Sequence, residues 1–191
     1  MENQMLNDIS RVIYTKEQLD DAISRLAKQI SIDYKDKNLL LVCILKGSIM
    51  VLTDLMRALT VPCSVEFMVV SSYGAEMYTA GRVKIIKDLD IDVKNYDLLI
   101  VEDIFDSGVT LSSLSETIKN MKNPRSFKIC TLIDRPSGRR SDITLKPDYV
   151  GLTLEDDGFI VGYGLDFNEH YRNLPFIGVL TKEAIEKVKK Q

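Results

Sequence analysis

The sequence has few cysteines, no long apolar run and no block of basic residues, and each absence excludes a class of protein. Its three cysteines are an odd number and are widely spaced, and no C-x-x-C pair occurs. Neither a zinc site nor a disulfide framework is therefore expected. Cys43 and Cys130 lie inside apolar runs, where cysteine usually behaves as a small buried hydrophobic residue. A reducing, cytoplasmic setting fits this pattern best.

The distribution of apolar and charged residues disfavours membrane and nucleic-acid classes. The longest apolar runs are about seven residues, well short of the ~20 needed to span a bilayer. The N-terminal stretch MENQMLNDIS lacks the apolar core of a signal peptide. The net charge is −3, and without a basic block a strongly cationic nucleic-acid-binding face is not expected. A chain of 191 residues that is 45% hydrophobic and 28% charged predicts one soluble globular domain.

Short apolar runs alternate with amphipathic segments along the chain. Thr15 and Gln18 have the spacing of a capping box, ahead of apolar positions that recur at helical spacing from Leu19 to Ile30. Further helices are predicted at 48–59, 111–121 and 181–190. Continuous apolar runs predict buried strands at 39–45, 65–70, 98–101 and 127–133. The alternation predicts an α/β fold, a mostly parallel twisted sheet flanked by helices, which binds ligands beyond the carboxyl ends of its strands.

Two segments depart from this alternation. Residues 71–83, SSYGAEMYTAGRV, have two glycines and no clear periodicity, and they predict a long mobile loop of the kind that closes over active sites. From Asp148 onward the predicted strands are shorter and glycine-rich, which predicts a small hood built on the main sheet. We expect a single domain over 1–191, with a core at about 10–147 and a hood mainly at 148–180 together with the N-terminal segment.

Residues 98–111, LLIVEDIFDSGVTL, have the composition of a phosphate-binding loop. They predict a strand that ends at Val101 and a helix that begins near Thr110, so backbone N–H groups and a positive helix end converge on one point. Gly108 lets the backbone approach a phosphate closely, and the hydroxyl of Ser107 can add a hydrogen bond. Neither G-K-[ST] nor G-x-G-x-x-G is present, which excludes a Walker A loop and a dinucleotide fingerprint.

Acids stand beside this predicted phosphate site. Glu102 and Asp103 fit there if they accept hydrogen bonds from a sugar diol or lie near a divalent cation. In the alternative, both are solvated loop acids and Asp106 is a helix N-cap. An isolated D-S-G would favour that alternative, whereas two acids after a buried strand, followed by a third acid and S-G-x-T, favour the functional interpretation.

This stretch resembles the motif with which type I phosphoribosyltransferases bind phosphoribosyl pyrophosphate, and the chain is most similar to their hypoxanthine-guanine branch. The similarity is also carried by LKGS at 45–48, SSYG at 71–74, VKIIKDLD at 83–90 and VGYGLDFNEHYRNLP at 161–175. The resemblance implies the type I phosphoribosyltransferase fold. It also implies a purine-salvage glycosyltransferase that converts hypoxanthine or guanine to IMP or GMP, releases pyrophosphate and uses Mg²⁺.

The resemblance also implies roles for individual residues. Asp106 is the implied catalytic base, taking the proton from purine N7 as N9 attacks the anomeric carbon. The residues implied to bind ribose and the 5-phosphate are Glu102, Asp103, Asp106, Ser107, Gly108, Val109 and Thr110. Those implied for pyrophosphate are Lys46, Gly47 and Arg172, in a loop where a non-proline cis peptide is typical. Those implied for the metal are Glu102, Asp103 and Asp166, those for the purine are Arg135, Phe159 and Ile160, and those for the lid are Ser72 and Tyr73.

Without the resemblance, some of these residues have simpler interpretations. Lys46 and Gly47 would form an ordinary strand-to-helix turn, Asp166 would equally be a turn acid, and Phe159 would be packed in the core. The chain also departs from the family in two places. Arg135 replaces the usual lysine, which still favours a 6-oxopurine over adenine but leaves the choice among hypoxanthine, guanine and xanthine open. The segment 154–158, LEDDG, is unusually acidic.

Two other functions stay open on the sequence: a xanthine-preferring phosphoribosyltransferase, and a regulator of the same fold that binds nucleic acid and senses the sugar pyrophosphate. The presence of Asp106 and Asp166 favours catalysis, and the missing basic patch disfavours nucleic acid. Phe159 disfavours the pyrimidine branch. We expect phosphoribosyl pyrophosphate and a 6-oxopurine as partners, with no nucleic acid and no membrane, and the family suggests a homodimer or homotetramer.

Overall fold

The computed structural model describes residues 4–72 and 83–188 of the chain. The helices are α1 (Gln4–Asn7), α2 (Lys16–Asp33), α3 (Ile49–Ala58), α4 (Val109–Thr117), which continues into a π-helical turn (Ile118–Lys122), and α5 (Lys182–Val188). The strands are β1 (Ile9–Tyr14), β2 (Leu39–Leu45), β3 (Cys63–Ser72), β4 (Val83–Lys87), β5 (Asp97–Phe105), β6 (Ser126–Asp134), β7 (Tyr149–Thr153), β8 (Ile160–Val161) and β9 (Ile177–Leu180). A short 3₁₀ turn follows β6 at Pro136–Gly138.

Six strands form the main sheet in the order β4-β3-β2-β5-β6-β7. The strands from β3 to β7 in this order run parallel, and only the edge strand β4 pairs antiparallel to its neighbour. The predicted α/β class with a mostly parallel sheet is confirmed. Because parallel strands end at the same edge, the segments that follow β2, β5 and β6 meet there.

The central strand β2 shows why a continuous apolar run forms a buried strand. Leu41 and Cys43 point into the core between the sheet and helices α2 and α3, and they are fully buried. Leu40 and Val42 alternate with them and point into a second core on the face covered by α4. A strand with helices on both faces needs apolar side chains at every position, so strict alternation is absent.

Helix α2 begins where its capping pattern predicts. The Thr15 hydroxyl accepts from the Gln18 N–H at 3.4 Å, and the Gln18 side chain accepts from the Thr15 N–H at 2.9 Å. Both bonds satisfy N–H groups that the first helical turn leaves without a partner. The buried face of the helix then packs on the main sheet from Leu19 to Ile30.

A second, small sheet joins the two ends of the described chain. Its three strands are antiparallel in the order β1-β9-β8, and β1 pairs with β9 over Ile9–Tyr14. Buried Ile160, Ile177 and Val179 add this small sheet to the core shared with α2 and α3. The division of the chain into a core of about 10–147 and a hood stays a prediction. Within the described ranges, no helix is long and apolar enough to cross a bilayer.

Several element ends differ from those expected. Strand β5 continues from Val101 to Phe105, because the backbone goes on pairing with β6 although the side chains become polar. The segment predicted as one long loop, 71–83, contributes its first two residues to β3 and its last residue to β4. The rest of that segment lies outside the described residues. The helix after the predicted phosphate-binding loop begins at Val109, close to the expected Thr110.

Candidate active site

The segment after β5 forms a tight turn into α4. Gly108 is the N-cap of the helix with a left-handed φ of 79°, a conformation that side chains rarely adopt. A Cβ at this position would also lie 2.8 Å from Cγ2 of Ile143. A cavity of about 140 Å³ lies at the turn and is lined by Asp106, Ser107, Gly108 and Thr110 among others. Four of the five residues predicted to bind the 5-phosphate, all but Val109, therefore line one concave space at a helix N-terminus.

Glu102 and Asp103 belong to the last part of β5, so the interpretation of solvated loop acids is wrong. Burial, together with the nearby Asp103 carboxylate, raises the pKa of Glu102 well above its usual range. Burial raises the pKa of Asp103 to about 6, although the N–H of Ile104 opposes this shift. Among the described groups, none donates a hydrogen bond to the buried Glu102 Oε2. Two partly buried carboxyls of this kind can accept from hydroxyls or bind a cation.

The three acids predicted to bind metal suit a divalent cation whose remaining ligands are phosphate oxygens of the substrate. Asp166 is close enough that its charge raises the pKa of Asp103, so the three predicted metal ligands lie in the same region. No three carboxylate, histidine or cysteine side chains come together as a preformed metal cluster in residues 4–72 and 83–188. Mg²⁺ is commonly held by one or two carboxylates together with phosphates and waters, so it does not need such a cluster. The oxygen-only donors and the unpartnered Glu102 Oε2 fit this ion.

The loop after β2 packs directly against these acids. It begins with a non-proline cis peptide bond between Leu45 and Lys46, the kind of bond that is typical of this loop in the family. A Cβ on Gly47 would lie 1.7 Å from Asp103 Oδ2, and a Cβ on Gly164 would lie 1.9 Å from the Gly47 carbonyl oxygen. The loop is therefore fixed between β5 and the turn at Gly164, where no larger residue fits.

Two of the predicted pyrophosphate-binding residues, Lys46 and Arg172, meet at a carboxylate that the sequence analysis did not single out. Glu169 accepts from Lys46 Nζ at 2.9 Å and from Arg172 Nη2 at 3.3 Å. Arg172 also pairs with Asp166 at 2.9 Å and donates to the Gly164 carbonyl at 2.8 Å. Asp166 accepts from the Glu169 N–H at 2.8 Å, so it has the turn role considered for it as well. The only sequence signal for Glu169 is its position midway between Asp166 and Arg172.

Asp106 is not a helix N-cap, because Gly108 occupies that position. The Asp106 side chain is half exposed, and Oδ1 is buried without a hydrogen-bond partner among the described groups. Gly138 packs so closely that an added Cβ would lie 1.7 Å from Oδ1. Oδ2 lies 3.9 Å from Arg135 Nη1. The carboxylate therefore has one enclosed oxygen and one oxygen that faces a cation.

Of the three predicted purine residues, Arg135 directly follows β6, Phe159 directly precedes β8 and Ile160 is the first residue of β8. Phe159 is 46% exposed, which is unlike a core residue, and its ring lies 4.9 Å from Phe167 in an edge-on arrangement. Ile160 is buried in the core of the small sheet. Arg135 is 15% exposed and donates through Nη2 to the carbonyls of Asp156, at 2.9 Å, and Gly158, at 3.0 Å.

A second arginine near the site was missed by the sequence analysis. The Arg139 guanidinium lies 3.4 Å from the centroid of the Phe105 ring and donates to the Phe105 carbonyl at 3.0 Å. It also pairs with Asp134 at the end of β6. These contacts hold the segment after β6 against the end of β5. Of the predicted lid residues, Ser72 ends β3 and pairs with Val83, and Tyr73 lies outside the described residues.

Comparisons with known proteins identify the class to which this site belongs. A family model for the phosphoribosyl transferase domain matches residues 12–168. The chain therefore belongs to the phosphoribosyltransferase family, and the predicted membership is confirmed. Among its relatives, the hypoxanthine-guanine phosphoribosyltransferase of Bacillus subtilis is 44% identical over 182 residues, covering 95% of this chain and 99% of that protein. The Mycobacterium tuberculosis enzyme of the same name is 45% identical over 179 residues, covering 91% and 87%.

Solved structures agree with the fold. The hypoxanthine phosphoribosyltransferase of Staphylococcus aureus has a TM-score of 0.89 and 43% identity, covering 96% of this chain and 97% of that one. The Trypanosoma cruzi hypoxanthine phosphoribosyl transferase has a TM-score of 0.88 and 35% identity, with the same coverage. The predicted type I phosphoribosyltransferase fold is confirmed by these similarities.

Proposed function

We propose that this chain is a purine-salvage enzyme that transfers the 5-phosphoribosyl group from phosphoribosyl pyrophosphate to hypoxanthine or guanine. The products are IMP or GMP and pyrophosphate. The names of the relatives and the order of the site motifs support this proposal. The observation that carries it is the pairing of Arg135 with Asp106 beside the exposed ring of Phe159.

This pairing offers a donor next to an acceptor. Arg135 Nη1 and Asp106 Oδ2 are 3.9 Å apart. O6 and N7 are neighbours on the edge of a 6-oxopurine, so Nη1 can donate to O6 while Oδ2 accepts the proton of N7. Adenine presents an amino group in place of O6, and that group faces a donor unfavourably. Phe159 stacks on the face of the base, and the backbone of Ile160 lies at its edge.

The sugar end follows from the turn after β5. The N–H groups of residues 106–110 bind the 5-phosphate at the start of α4, and Glu102 and Asp103 accept hydrogen bonds from the ribose hydroxyls. Lys46, Gly47 and Arg172 bind the pyrophosphate group. Ser72 and Tyr73 are the proposed lid residues. In this proposal the hood carries Phe159, Ile160, Asp166 and Arg172, and the core of about 10–147 carries the other site residues, Arg135 among them.

In the reaction, a bond forms between N9 and the anomeric carbon while the bond from that carbon to the pyrophosphate oxygen breaks. Asp106 accepts the N7 proton, so the base does not retain a positive charge. Glu102 and Asp103 stabilise the positive charge that develops on the ribose ring. Glu102, Asp103 and Asp166, together with substrate oxygens, would hold Mg²⁺, whose positive charge would balance the charge of the departing pyrophosphate.

Nucleotide formation with single bases tests this function. The protein is incubated with Mg²⁺, phosphoribosyl pyrophosphate and hypoxanthine, guanine, xanthine or adenine, and the products are separated by chromatography. IMP and GMP are expected. If xanthine is the only base that gives a product, xanthine replaces hypoxanthine and guanine as the proposed substrate. If no base gives a product, the proposed function is excluded.

The base role of Asp106 is tested by Asp106→Asn. The variant keeps the shape of the side chain but cannot accept the N7 proton as a carboxylate does, so turnover should fall about 10²–10⁴-fold. Binding of phosphoribosyl pyrophosphate should change little, because the 5-phosphate is bound by backbone groups. Unchanged turnover would remove Asp106 from this role. Asp157→Asn, in an exposed part of the hood, is a suitable control.

We further propose that the chain acts as a homodimer or homotetramer in the cytoplasm. For the Trypanosoma cruzi relative, the C-terminal region has a role in oligomeric state and enzymatic activity. The three cysteines Cys43, Cys63 and Cys130 are unpaired, which agrees with a reducing compartment. Light scattering coupled to size-exclusion chromatography distinguishes a monomer of 21.7 kDa from two or four copies.

A further inference from the structure

The two places where the sequence departs from the family are in contact with each other. Arg135 stands where a lysine is usual, and Asp156 and Gly158 belong to the unusually acidic segment 154–158. The Arg135 guanidinium donates through Nη2 to the main-chain carbonyls of both residues, at 2.9 and 3.0 Å. Arg135 therefore anchors the acidic segment to the main sheet. We call residues 153–158, which include this segment, the hood turn, and we call Arg135 its anchor.

Asp156 holds the hood turn from the inside. Its Oδ1 accepts from the Gly158 N–H at 2.7 Å, which closes a short turn just before Phe159. Gly158 is packed against β9, since an added Cβ would lie 2.6 Å from Cγ1 of Val179. The Phe159 carbonyl accepts from the Leu180 N–H at 3.0 Å, so the main chain that carries the ring is held against β9.

Strand β1 holds the hood turn from the outside. Arg11 Nη2 donates to Asp156 Oδ2 at 2.5 Å, and the Tyr14 hydroxyl donates to the Thr153 carbonyl at 2.7 Å. The Arg11 guanidinium and the Gly158 N–H hold the pKa of Asp156 below its usual range. Each outer contact is exposed, so each is weak alone, but both act on the same short segment.

The shape of the arginine side chain explains how Arg135 contacts the hood turn and Asp106 at the same time. A guanidinium presents five donors in a planar fork, so Nη2 can bind two carbonyls while Nη1 faces Asp106 at 3.9 Å. A lysine has all three of its N–H donors on one nitrogen, so it has no second nitrogen to face Asp106 while the first binds the carbonyls. Arg135 therefore connects the predicted proton acceptor with the turn that carries the stacking ring.

We propose that Asp156 is a positioning residue for the purine pocket. Its carboxylate, bound by Arg11, and its main-chain carbonyl, bound by Arg135, fix the hood turn so that Phe159 is presented to the base. The residue is not among those proposed to bind the sugar or the pyrophosphate, so its effect should be confined to the purine. This inference rests on the proposed function, because it concerns the same pocket.

The test uses Asp156→Ala, with Asp157→Ala as the matched control. Asp157 is the neighbouring exposed acid, so both variants remove one negative charge from the same segment. Asp156→Ala should raise KM for hypoxanthine and guanine about tenfold, the effect of losing charged hydrogen bonds. KM for phosphoribosyl pyrophosphate should stay the same, and Asp157→Ala should change neither constant.

Two further variants separate positioning from a general loss of structure. Asp156→Asn retains an acceptor for the Gly158 N–H and should recover part of the purine KM. Arg11→Met should raise the purine KM less than Asp156→Ala, and the double variant should resemble Asp156→Ala alone, because both remove the same contact. An equal rise in both KM values, a purine KM that does not change, or an effect of Asp157→Ala as large as that of Asp156→Ala would overturn the inference.

Binding measurements keep this inference distinct from the proposed function. The dissociation constants of IMP and ribose 5-phosphate are measured by calorimetry for the unmodified chain and the variants. Asp156→Ala should weaken IMP binding about tenfold and leave ribose 5-phosphate unchanged. If the unmodified chain binds IMP but forms no nucleotide, the proposed reaction fails and the positioning role is still decided by these constants. If it binds IMP no better than ribose 5-phosphate, the inference is overturned too.

Discussion

The two ends of the candidate active site are built differently. The proposed sugar-phosphate end consists of backbone at the ends of β2 and β5, where Gly47 and Gly108 leave no space for a side chain. The purine end consists of the hood turn, which is held by side chains of β1 and by Arg135. Backbone in a packed sheet has one conformation, whereas side-chain anchors can be exchanged. The proposed sugar end therefore depends on backbone that has no room to change, and the proposed purine end depends on side chains that a substitution can remove.

Among the changes that test this comparison, removal of divalent metal should have the largest effect on nucleotide formation. Because the paired acids at the end of β5 are proposed to hold a metal ion beside the departing pyrophosphate, treatment with EDTA should abolish nucleotide formation, and added Mg²⁺ should restore it. Binding of IMP should persist, since the purine end contains no predicted metal ligand. The measurements are product formation and calorimetric binding of IMP. Full turnover in EDTA would contradict the metal role of Glu102, Asp103 and Asp166.

Gly47→Ala should be the most damaging single substitution outside the proton acceptor. The new Cβ would lie 1.7 Å from Asp103 Oδ2, so the loop and the acid must separate. A displacement of about 1 Å in a site can lower turnover about 10²-fold. Steady-state kinetics with both substrates measures the loss.

Gly158→Ala is the matched substitution at the purine end. There the new Cβ would meet the Val179 side chain at 2.6 Å and the Asp156 carboxylate at 2.8 Å, which are smaller overlaps than the 1.7 Å contact at Gly47. Side chains can shift, so kcat/KM should fall only about tenfold, mainly through the purine KM. Equal losses in the two glycine variants would contradict the difference in rigidity.

Phe159→Ala should weaken the purine end without changing stability greatly. Base–aromatic stacking is worth about 1–3 kcal/mol, so KM for hypoxanthine should rise about tenfold. The ring is 46% exposed, and the melting temperature should fall by only a few degrees. Met121→Ala is the control for surface truncation, because Met121 is 80% exposed and lies after α4. An unchanged purine KM would show that the ring does not stack on the base.

The sequence predicted the elements that depend on apolar patterns and local caps. The run LLLVCIL corresponds to β2, and the Thr15–Gln18 capping box begins α2. The end of β5 was misjudged because the pattern records burial and not pairing. Glu102 still pairs with Thr131, and Phe105 with Asp134, although polar residues interrupt the apolar run.

Contacts between distant side chains could not be predicted. Arg11 meets Asp156 across 145 positions, and Lys46 meets Glu169 across 123 positions. Neither partner in these pairs belongs to a periodic pattern, since exposed charges leave no hydrophobic signal. The predicted roles of the site residues stay predictions, because they depend on ligands and kinetics rather than on the fold.

Glu169→Gln should have the smallest effect of these changes, and it should lower a KM where the others impair the enzyme. The Glu169 carboxylate binds Lys46 and Arg172, the two cations proposed for pyrophosphate, and so competes with the anionic substrate. Both pairs involve an exposed carboxylate, and pairs of this kind contribute about 0–1 kcal/mol. The variant should therefore lower KM for phosphoribosyl pyrophosphate about two- to fivefold and leave the purine KM unchanged. Glu186→Gln on α5 is the control, and added salt should reduce the difference because it screens exposed charges. A higher KM for phosphoribosyl pyrophosphate would instead mean that Glu169 orients the two cations for the substrate, and the sugar end would then depend on a side-chain anchor just as the purine end does.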